Sequence, residues 1–458
     1  MRSQRRILRG LSLRRLLNDQ RGAVMAIVGL AIIPLFAIIG LAIDTTRAYL
    51  TKSRLWSAVD AAALAGGRVY EADYRDDDIH MFFESNFPDG FMNAVVEPLE
   101  IEPDDVNRKI TVTAQATIPT TFMRVLGIDS MTIAASSEVM LESQSIEVAL
   151  VLDITGSMDV GSRMEDLRDA ADELVDILVQ DVQEPFYSKL ALVPYSIGVN
   201  VGSYANDVRG TYTNDTCIWS AAPTCRYYRF RRASDSNWTT QEISTCVTER
   251  TGSEAYTDAA PSVAPLGKNY PAPGSYNPCP SSAIVPLTSN KTLLHDEIDD
   301  LDPVGSTAGH IGIAWGWYIL SPNFGYLWDA ESQPAAYDAE DLIKVAILMT
   351  DGEFNTVYRN GVLAQNSTSG SGSNAYKINQ NSLNGSSYNQ AEQLCTAMKD
   401  QGILVYTVAF DVAGSQAEDI MEECATDPTY AYNPSDGTEL KDAFRAIARR
   451  VSTLRLSR

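Results

Sequence analysis

The stretch IEVALVLDITGSM, residues 146–158, decides the fold. Its first half is an apolar run broken only by Glu147, too short to cross a bilayer and too continuous for a strand with one wet face, so it reads as a buried parallel strand. Its second half changes at once to Asp153, Thr155, Gly156 and Ser157, a polar turn at the strand's carboxyl end. A helical stretch follows near Arg163 to Gln180, with apolar positions at Met164, Leu167, Ala171, Leu174, Ile177 and Leu178. Moving outward, KLALVPYSI (189–197), LIKVAILMT (342–350) and ILVYTVAF (403–410) read as further strands. Thr288 to Leu301, Thr307 to Leu320, Gln390 to Gln401 and Gly437 to Leu454 read as helices. Strands alternating with helices predict an α/β doubly wound, Rossmann-like domain over residues 143–458. Two segments interrupt that order: 201–285, loop-like with four cysteines and many prolines, and 356–387, rich in Ser, Asn and Gly. Excursions of this length in a compact domain are functional surfaces or mobile loops.

Upstream the character differs. The chain of 458 residues carries a net charge of -23, but residues 1–22 hold seven arginines against Asp19, so this tail is +6 and the remainder -29. A body so acidic excludes nucleic-acid binding, which needs a basic surface. The boundary is marked by Ala23 to Ile43, which has no charged residue. As a helix it spans roughly 31 Å, the hydrocarbon thickness of a bilayer. A cleaved signal peptide is the alternative, with Gly40-Leu41-Ala42 as its cleavage site. Signal-peptide apolar regions run only about 7–15 residues, which favours a retained anchor. The arginines then place residues 1–22 in the cytoplasm as a basic tail, with the rest outside. Residues 44–142 read as a stalk: an alanine-rich helix ending at Gly66-Gly67, then β-rich segments ITVTAQATIPTTFM and MTIAASSEVM joined by a turn at Gly127 to Ser130. The acidic run Asp73 to Asp78 reads as a solvated face. One long helix followed by a small sheet is a pilin-like α+β layout.

Six cysteines in an exported chain read as disulfides, Cys395 with Cys424 and the other four stapling one insertion, although six allow fifteen pairings. Zinc is disfavoured, because no Cys-x-x-Cys pair occurs and His80, His295 and His310 lie far from the cysteines.

Three motifs carry the chemistry: Asp153-Ile154-Thr155-Gly156-Ser157, Gly305-Ser306-Thr307-Ala308-Gly309, and Thr350-Asp351-Gly352. Ligands in an open α/β sheet bind beyond the carboxyl ends of the strands, where such loops converge. They offer two carboxylates and three hydroxyls, the hard oxygen donors preferred by Mg²⁺ and similar cations. His310, one turn after Thr307, reads as packing. Arg226-Tyr227-Tyr228-Arg229-Phe230-Arg231-Arg232 interleaves basic and aromatic residues, either a docking patch for an acidic partner or solvated loop charge. No His-Glu-x-x-His, Gly-x-Ser-x-Gly or phosphate-binding loop occurs.

Asp-x-Thr-Gly-Ser, a distant Thr and a strand-terminal Asp-Gly resemble the metal-ion-dependent adhesion site of von Willebrand factor A domains. That resemblance implies a metal set of Asp153, Thr155, Ser157, Thr307 and Asp351 holding Mg²⁺, Mn²⁺ or Ca²⁺. Thr155 stands where the motif more often has Ser, and the four-cysteine insertion displaces Thr307 along the chain. The N-terminal part, Arg-Gly, the apolar span and AVDAAALAG, resembles TadE/TadG-like proteins of tight-adherence (Flp) pilus assembly, and an A domain after such an anchor fits the TadG-like branch. In that system a Gly is followed five residues later by a Glu at prepilin processing sites; here Gly22 is followed by Ile27, which favours the retained anchor. The resemblance implies a non-enzymatic, metal-dependent binding module in the bacterial inner membrane, with a large periplasmic part or a place at a pilus tip. TadE-like and TadF-like pseudopilins, or a surface ligand bearing a carboxylate, are the implied partners. A general envelope scaffold with a structural A domain is the alternative. An aspartyl-phosphate phosphotransferase, with Asp153 as nucleophile, is disfavoured by the absence of a lysine at Ile154 and of ATP outside the cytoplasm.

Overall fold

The structure, a computed structural model, describes residues 23–70, 72, 74–104, 109–140, 144–218, 225–272, 274, 277–368 and 374–455. The basic tail 1–22 and Asp73 lie outside these described residues. The chain divides into two units, Met1–Leu141 and Glu142–Arg458.

The first unit is organised by helix α1 (Ala23–Arg68), which contains Pro34. Along its first part Met25, Leu30, Ile33, Phe36 and Ile38 are exposed, in a stretch of mean hydropathy 2.5. An apolar helix that buries nothing is not a stable surface in water, and it is compatible with membrane anchoring. Burial begins at Gly40 and Asp44. From there Ala48, Leu55, Ala58, Val59, Ala62 and Ala63 form one stripe at helical spacing, packed into a single core with Ile110, Val112, Ala114 and Ala116 of a sheet. That core also takes in Ile79 and Phe83 of helix α2 (Arg75–Asn86). Helix α2 is an addition to the sequence expectation for this region. It starts on Asp76, Asp77 and Asp78, which complement the positive end of the helix dipole, and buries only those two apolar side chains, too few to show a period. In the antiparallel sheet, β1 (Val95–Val96) and β2 (Glu100–Asp104) share one edge of β3 (Lys109–Pro119), and β4 (Ser130–Met140) lies along the other. The turn after β3 is held by the buried Asp44, whose carboxylate accepts the backbone N–H groups of Thr121, Phe122 and Met123 at 2.8–3.2 Å.

The second unit is built on β5 (Ser145–Asp153), buried along its whole length. It is followed by α3 (Arg163–Leu178), β6 (Ser188–Tyr195) and β7 (Val199–Asn200). The insertion supplies β8 (Thr213–Ile218), β9 (Cys225–Arg231), β10 (Trp238–Glu242), β11 (Cys246–Thr248), β12 (Gly267–Lys268) and β13 (Val285–Thr288). Then come α4 (Lys291–Asp299), α5 (Gly309–Tyr318), β14 (Leu342–Thr350), α6 (Ser387–Asp400), β15 (Leu404–Ala409), α7 (Gln416–Cys424), β16 (Ala431–Tyr432) and α8 (Gly437–Arg455). The expectation of a loop-like 201–285 is corrected: β8 to β10 form a sheet of their own, and β11 and β12 extend the main sheet through β7. These strands are short and polar on one side, so their alternation is lost among the prolines and cysteines.

The main sheet runs β13-β6-β5-β14-β15-β16 through its centre, parallel except for β13. Numbered by chain order this is 3-2-1-4-5-6, the doubly wound arrangement. Alternate residues of β5 serve opposite faces. Ile146, Val148, Leu150 and Leu152 join a core with α3, α4 and α8, while Ala149 and Val151 join one with α5, α6 and α7. Helix α5 approaches the sheet closely because it carries glycines: a Cβ on Gly312 would lie 2.6 Å from the Tyr195 ring, and one on Gly316 2.6 Å from a Val151 methyl. The polar residue within β5, Glu147, pairs with Lys344, its register neighbour on β14. Its remaining needs are met by the Tyr187 hydroxyl and the Ala335 N–H, both at 2.9 Å. Disulfides join Cys395 to Cys424, tying α6 to α7, and within the insertion Cys217 to Cys225 and Cys246 to Cys279, as expected.

Candidate functional site

In the 3-2-1-4-5-6 order the first and fourth strands, β5 and β14, are adjacent, yet the chain leaves their carboxyl ends toward opposite faces, β5 to α3 and β14 to α6. The crevice between the departing loops is the topological switch point. Asp153 ends β5 and Asp351 directly follows β14.

Asp153 is fully buried. Its Oδ1 accepts the Thr155 N–H at 2.9 Å and its Oδ2 accepts the Thr350 and Tyr195 hydroxyls at 2.8 and 3.1 Å. Next to it the Thr155 and Ser157 hydroxyls lie 2.9 Å apart, and Ser157 Oγ donates to Asp351 Oδ1 at 2.6 Å. The Gly305 motif is stitched to the first by backbone: Gly156 N–H donates to Gly305 O at 2.9 Å and Val304 N–H to Ile154 O at 2.8 Å. A Cβ at Gly156 would come within 3.3 Å of Gly305 O, and Gly305 itself has φ +79°, so glycine is needed on both sides of this contact. Asn355 holds the adjoining turn, its Oδ1 accepting the Thr307 N–H at 3.0 Å. A Cβ on Gly352 would sit 3.4 Å from Ser157 Oγ and 3.8 Å from Thr307 Oγ1. The five sequence-predicted residues therefore meet around Gly352, four of them buried and Ser157 half-buried at the open side.

Burial, opposed by hydrogen bonds from Thr155, Thr350 and Tyr195, pushes the Asp153 carboxyl up. Burial and the Asp153 charge push Asp351 up to about 7, against the pull of Ser157 and Arg163. Two carboxylates held this close and this dry are mutually destabilising unless a cation stands between or beside them. Arg163, at the start of α3, meets part of that need: it donates to Asp351 Oδ2 at 3.1 Å and also pairs with Asp411. The donor set, all oxygen with one exposed hydroxyl, fits a hard divalent cation that keeps some water. Among the described residues no group of three His, Cys, Asp or Glu side chains could hold a metal, so hydroxyls are an essential part of any such site.

Sequence reasoning missed Tyr195, Arg163 and Asn355, and it quoted Thr350 in a motif without giving it a role. Thr350 borders Asp351 and Tyr195 ends a strand, which was the available signal; nothing local marked Arg163 or Asn355. His310 is buried with Nε2 at 3.7 Å from Glu249 Oε2, as packing. In the basic-aromatic stretch Tyr228 and Phe230 are buried, while Arg229 and Arg231 both stack on Trp238, at 5.1 and 5.2 Å.

The sheet order and the three helices on each face give the second unit the doubly wound α/β fold expected of a von Willebrand factor A-like domain. Residues 22–69 match the family model "Putative Flp pilus-assembly TadE/G-like". The matched segment lies in the first unit, ahead of the doubly wound domain. No curated protein matches the chain. Among solved structures it is similar to the vWF domain of the type V pili tip protein Mfa5 from Porphyromonas gingivalis, at 12% identity and TM-score 0.37, covering 69% of this chain and 97% of that one. It is also similar to the pilus adhesin SpaC from Lactobacillus rhamnosus GG, at 13% identity and TM-score 0.36, covering 78% of this chain but 34% of that one. A third similarity is to proximal thread matrix protein 1 from the mussel byssus, described with a zinc-occupied MIDAS motif, at 14% identity and TM-score 0.34, covering 68% and 49%. The chain spans about a third of SpaC's length.

Proposed function

We propose that this protein is a membrane-anchored, metal-dependent binding module of tight-adherence (Flp) pilus assembly or pilus-mediated adhesion. The observation that carries the reading is the convergence of three sequence-distant oxygen-bearing loops on one crevice around Gly352. Asp153, Thr155, Ser157, Thr307 and Asp351 would hold Mg²⁺, or Mn²⁺ or Ca²⁺. When bound, such a cation offers an open position to a carboxylate of a partner, either a TadE-like or TadF-like pseudopilin or a surface ligand. The chain's own residues do the rest. Thr350 and Tyr195 fix Asp153, Arg163 neutralises part of Asp351, and Ser157 keeps one side open. The role is binding and not catalysis.

The anchor is read as Ala23–Ile43, the first part of α1, with the N-terminus in the bacterial cytoplasm and the A domain in the periplasm or at a pilus tip. Mg²⁺ titration by calorimetry on the full chain tests the site: the wild type should bind one equivalent and the Asp153→Ala and Asp351→Ala variants should not. Full binding and normal pilus function in both variants would sink the reading. A periplasm-dependent reporter fused after residue 60 should be active; activity only in the cytoplasm overturns the topology.

A further inference from the structure

The two long insertions close on each other. Tyr270 N–H donates to Gly361 O at 2.7 Å, Ala233 N–H to Lys377 O at 2.8 Å and Asn379 N–H to Arg231 O at 3.1 Å, each bond joining segment 201–285 to segment 356–387. Between them lies a cavity of about 380 Å³. That is within the roughly 300–1,000 Å³ range of small-ligand sites. Three cations line it, Arg209 and Lys268 from the first insertion and Arg359 from the second, with Leu266 and Leu383 as apolar wall. Glu249 is the one carboxylate among the described lining residues; its Oε1 accepts the Tyr358 N–H at 2.6 Å, and its Oε2 lies 3.7 Å from His310 Nε2, beyond hydrogen-bond distance. Burial and the neighbouring Arg209 hold the Lys268 ammonium below its ordinary value. Burial likewise lowers Arg209. In a chain of net charge -23, three positive side chains on one cavity are a local reversal of sign, placed there by the two insertions.

We infer that this cavity is a binding site for a small carboxylate-bearing ligand, of dipeptide or acidic-monosaccharide size, its carboxylate held by Arg209, Lys268 and Arg359 and its apolar body against Leu266 and Leu383. The site is independent of the oxygen cluster at the switch point, and it needs no metal. Arg is the side chain best matched to a carboxylate, and a charge-assisted pair is about twice as strong as a neutral one.

The test uses the full chain in detergent micelles at low salt with EDTA, which separates it from capture at a metal. N-acetyl-Asp-Leu and glucuronate are titrated by calorimetry beside N-acetyl-Leu-amide and glucose. At least one acidic probe should bind, about tenfold or more tighter than its neutral counterpart. The dipeptide binding better points to a protein terminus or acidic side chain as the natural source, and glucuronate binding better points to an acidic glycan. Lys268→Met and Arg359→Gln should each weaken binding about tenfold. Leu383→Trp, at an exposed position, should block the mouth without disturbing the fold. Asp351→Asn should leave affinity unchanged. No binding of either acidic probe at about 20 mM, or affinity unaltered in Lys268→Met, Arg359→Gln and Leu383→Trp, overturns the inference. So does a loss of binding in Asp351→Asn alone, which would place the carboxylate at the sheet edge.

Discussion

Replacing Asp351 by Asn tests the electrostatics of the candidate site directly. The Asp351 side chain is fully enclosed, and burial and Asp153 raise its pKa from 3.8 to about 7. In the metal-free protein its carboxyl therefore holds a proton where the unfolded chain has lost it. Stability must fall as pH climbs from about 4 through about 7 and level off above. The gap corresponds to roughly 4 kcal/mol at most. Asn mimics the protonated carboxyl and keeps an acceptor for Ser157, but it weakens the charge-assisted bond from Arg163, a loss of about 1–2 kcal/mol. The net expectation at pH 8 in EDTA is that Asp351→Asn is about 2 kcal/mol more stable than wild type. In a unit of this size that is roughly 3 °C in Tm. At pH 4 the advantage vanishes. Saturating Mg²⁺ should reverse the order, since a ligand bound only by the folded state at a hundred times its Kd adds about 2.7 kcal/mol to the wild type alone. Thermal melts at both pH values, with EDTA and with Mg²⁺, read all four cases. A variant destabilised equally at pH 4 and pH 8, or stabilised by Mg²⁺ as much as wild type, refutes the reasoning.

Three more expectations rest on packing and covalent structure. Gly316→Leu should destabilise the A-type domain by about 3 kcal/mol or more, because even its Cβ would meet Val151 at 2.6 Å; a melt within 1 °C of wild type, roughly, would contradict the close approach of α5. Replacing Cys395 and Cys424 by Ser removes a cross-link between residues 29 apart in sequence, for which chain entropy gives about 3–4 kcal/mol, measurable as a lowered urea midpoint. Asp44→Ala should loosen the first unit by roughly 2–3 kcal/mol through three backbone N–H groups left without their acceptor. Burial alone would raise the Asp44 pKa, but the N–H bonds from Met123, Thr121 and Phe122 outweigh it and the net shift is downward. Its contribution is accordingly present above about pH 4 and lost as pH falls through the lowered folded value, and unchanged amide exchange at residues 121–123 in the variant would argue against it.

Much of the α/β framework was legible because buried parallel strands leave a mark that depends on few other residues. LIKVAILMT is strand β14 residue for residue, and β5 differs from its expected span by one residue at each end. The meeting of the three oxygen-bearing loops was legible for a related reason: strand ends are visible in sequence, and topology sends loops from adjacent carboxyl ends to one crevice. The insertions were not legible as structure. Strands such as β9 bury Tyr228 and Phe230 against residues of a different segment, so their pattern has meaning only once that segment is in place.

What the sequence by itself determined was local and repetitive: an uncharged apolar span, the periods of strand and helix, and the residue types of three oxygen-bearing loops. Tertiary structure alone decided which groups share a volume. It set Tyr195 and Thr350 on Asp153, brought Arg163 onto Asp351, 188 residues away along the chain, and closed two insertions around a cation-lined cavity. The physical reason is that backbone propensity and hydrophobic period act over a few residues, whereas a buried charge is defined by whatever the folded chain places beside it.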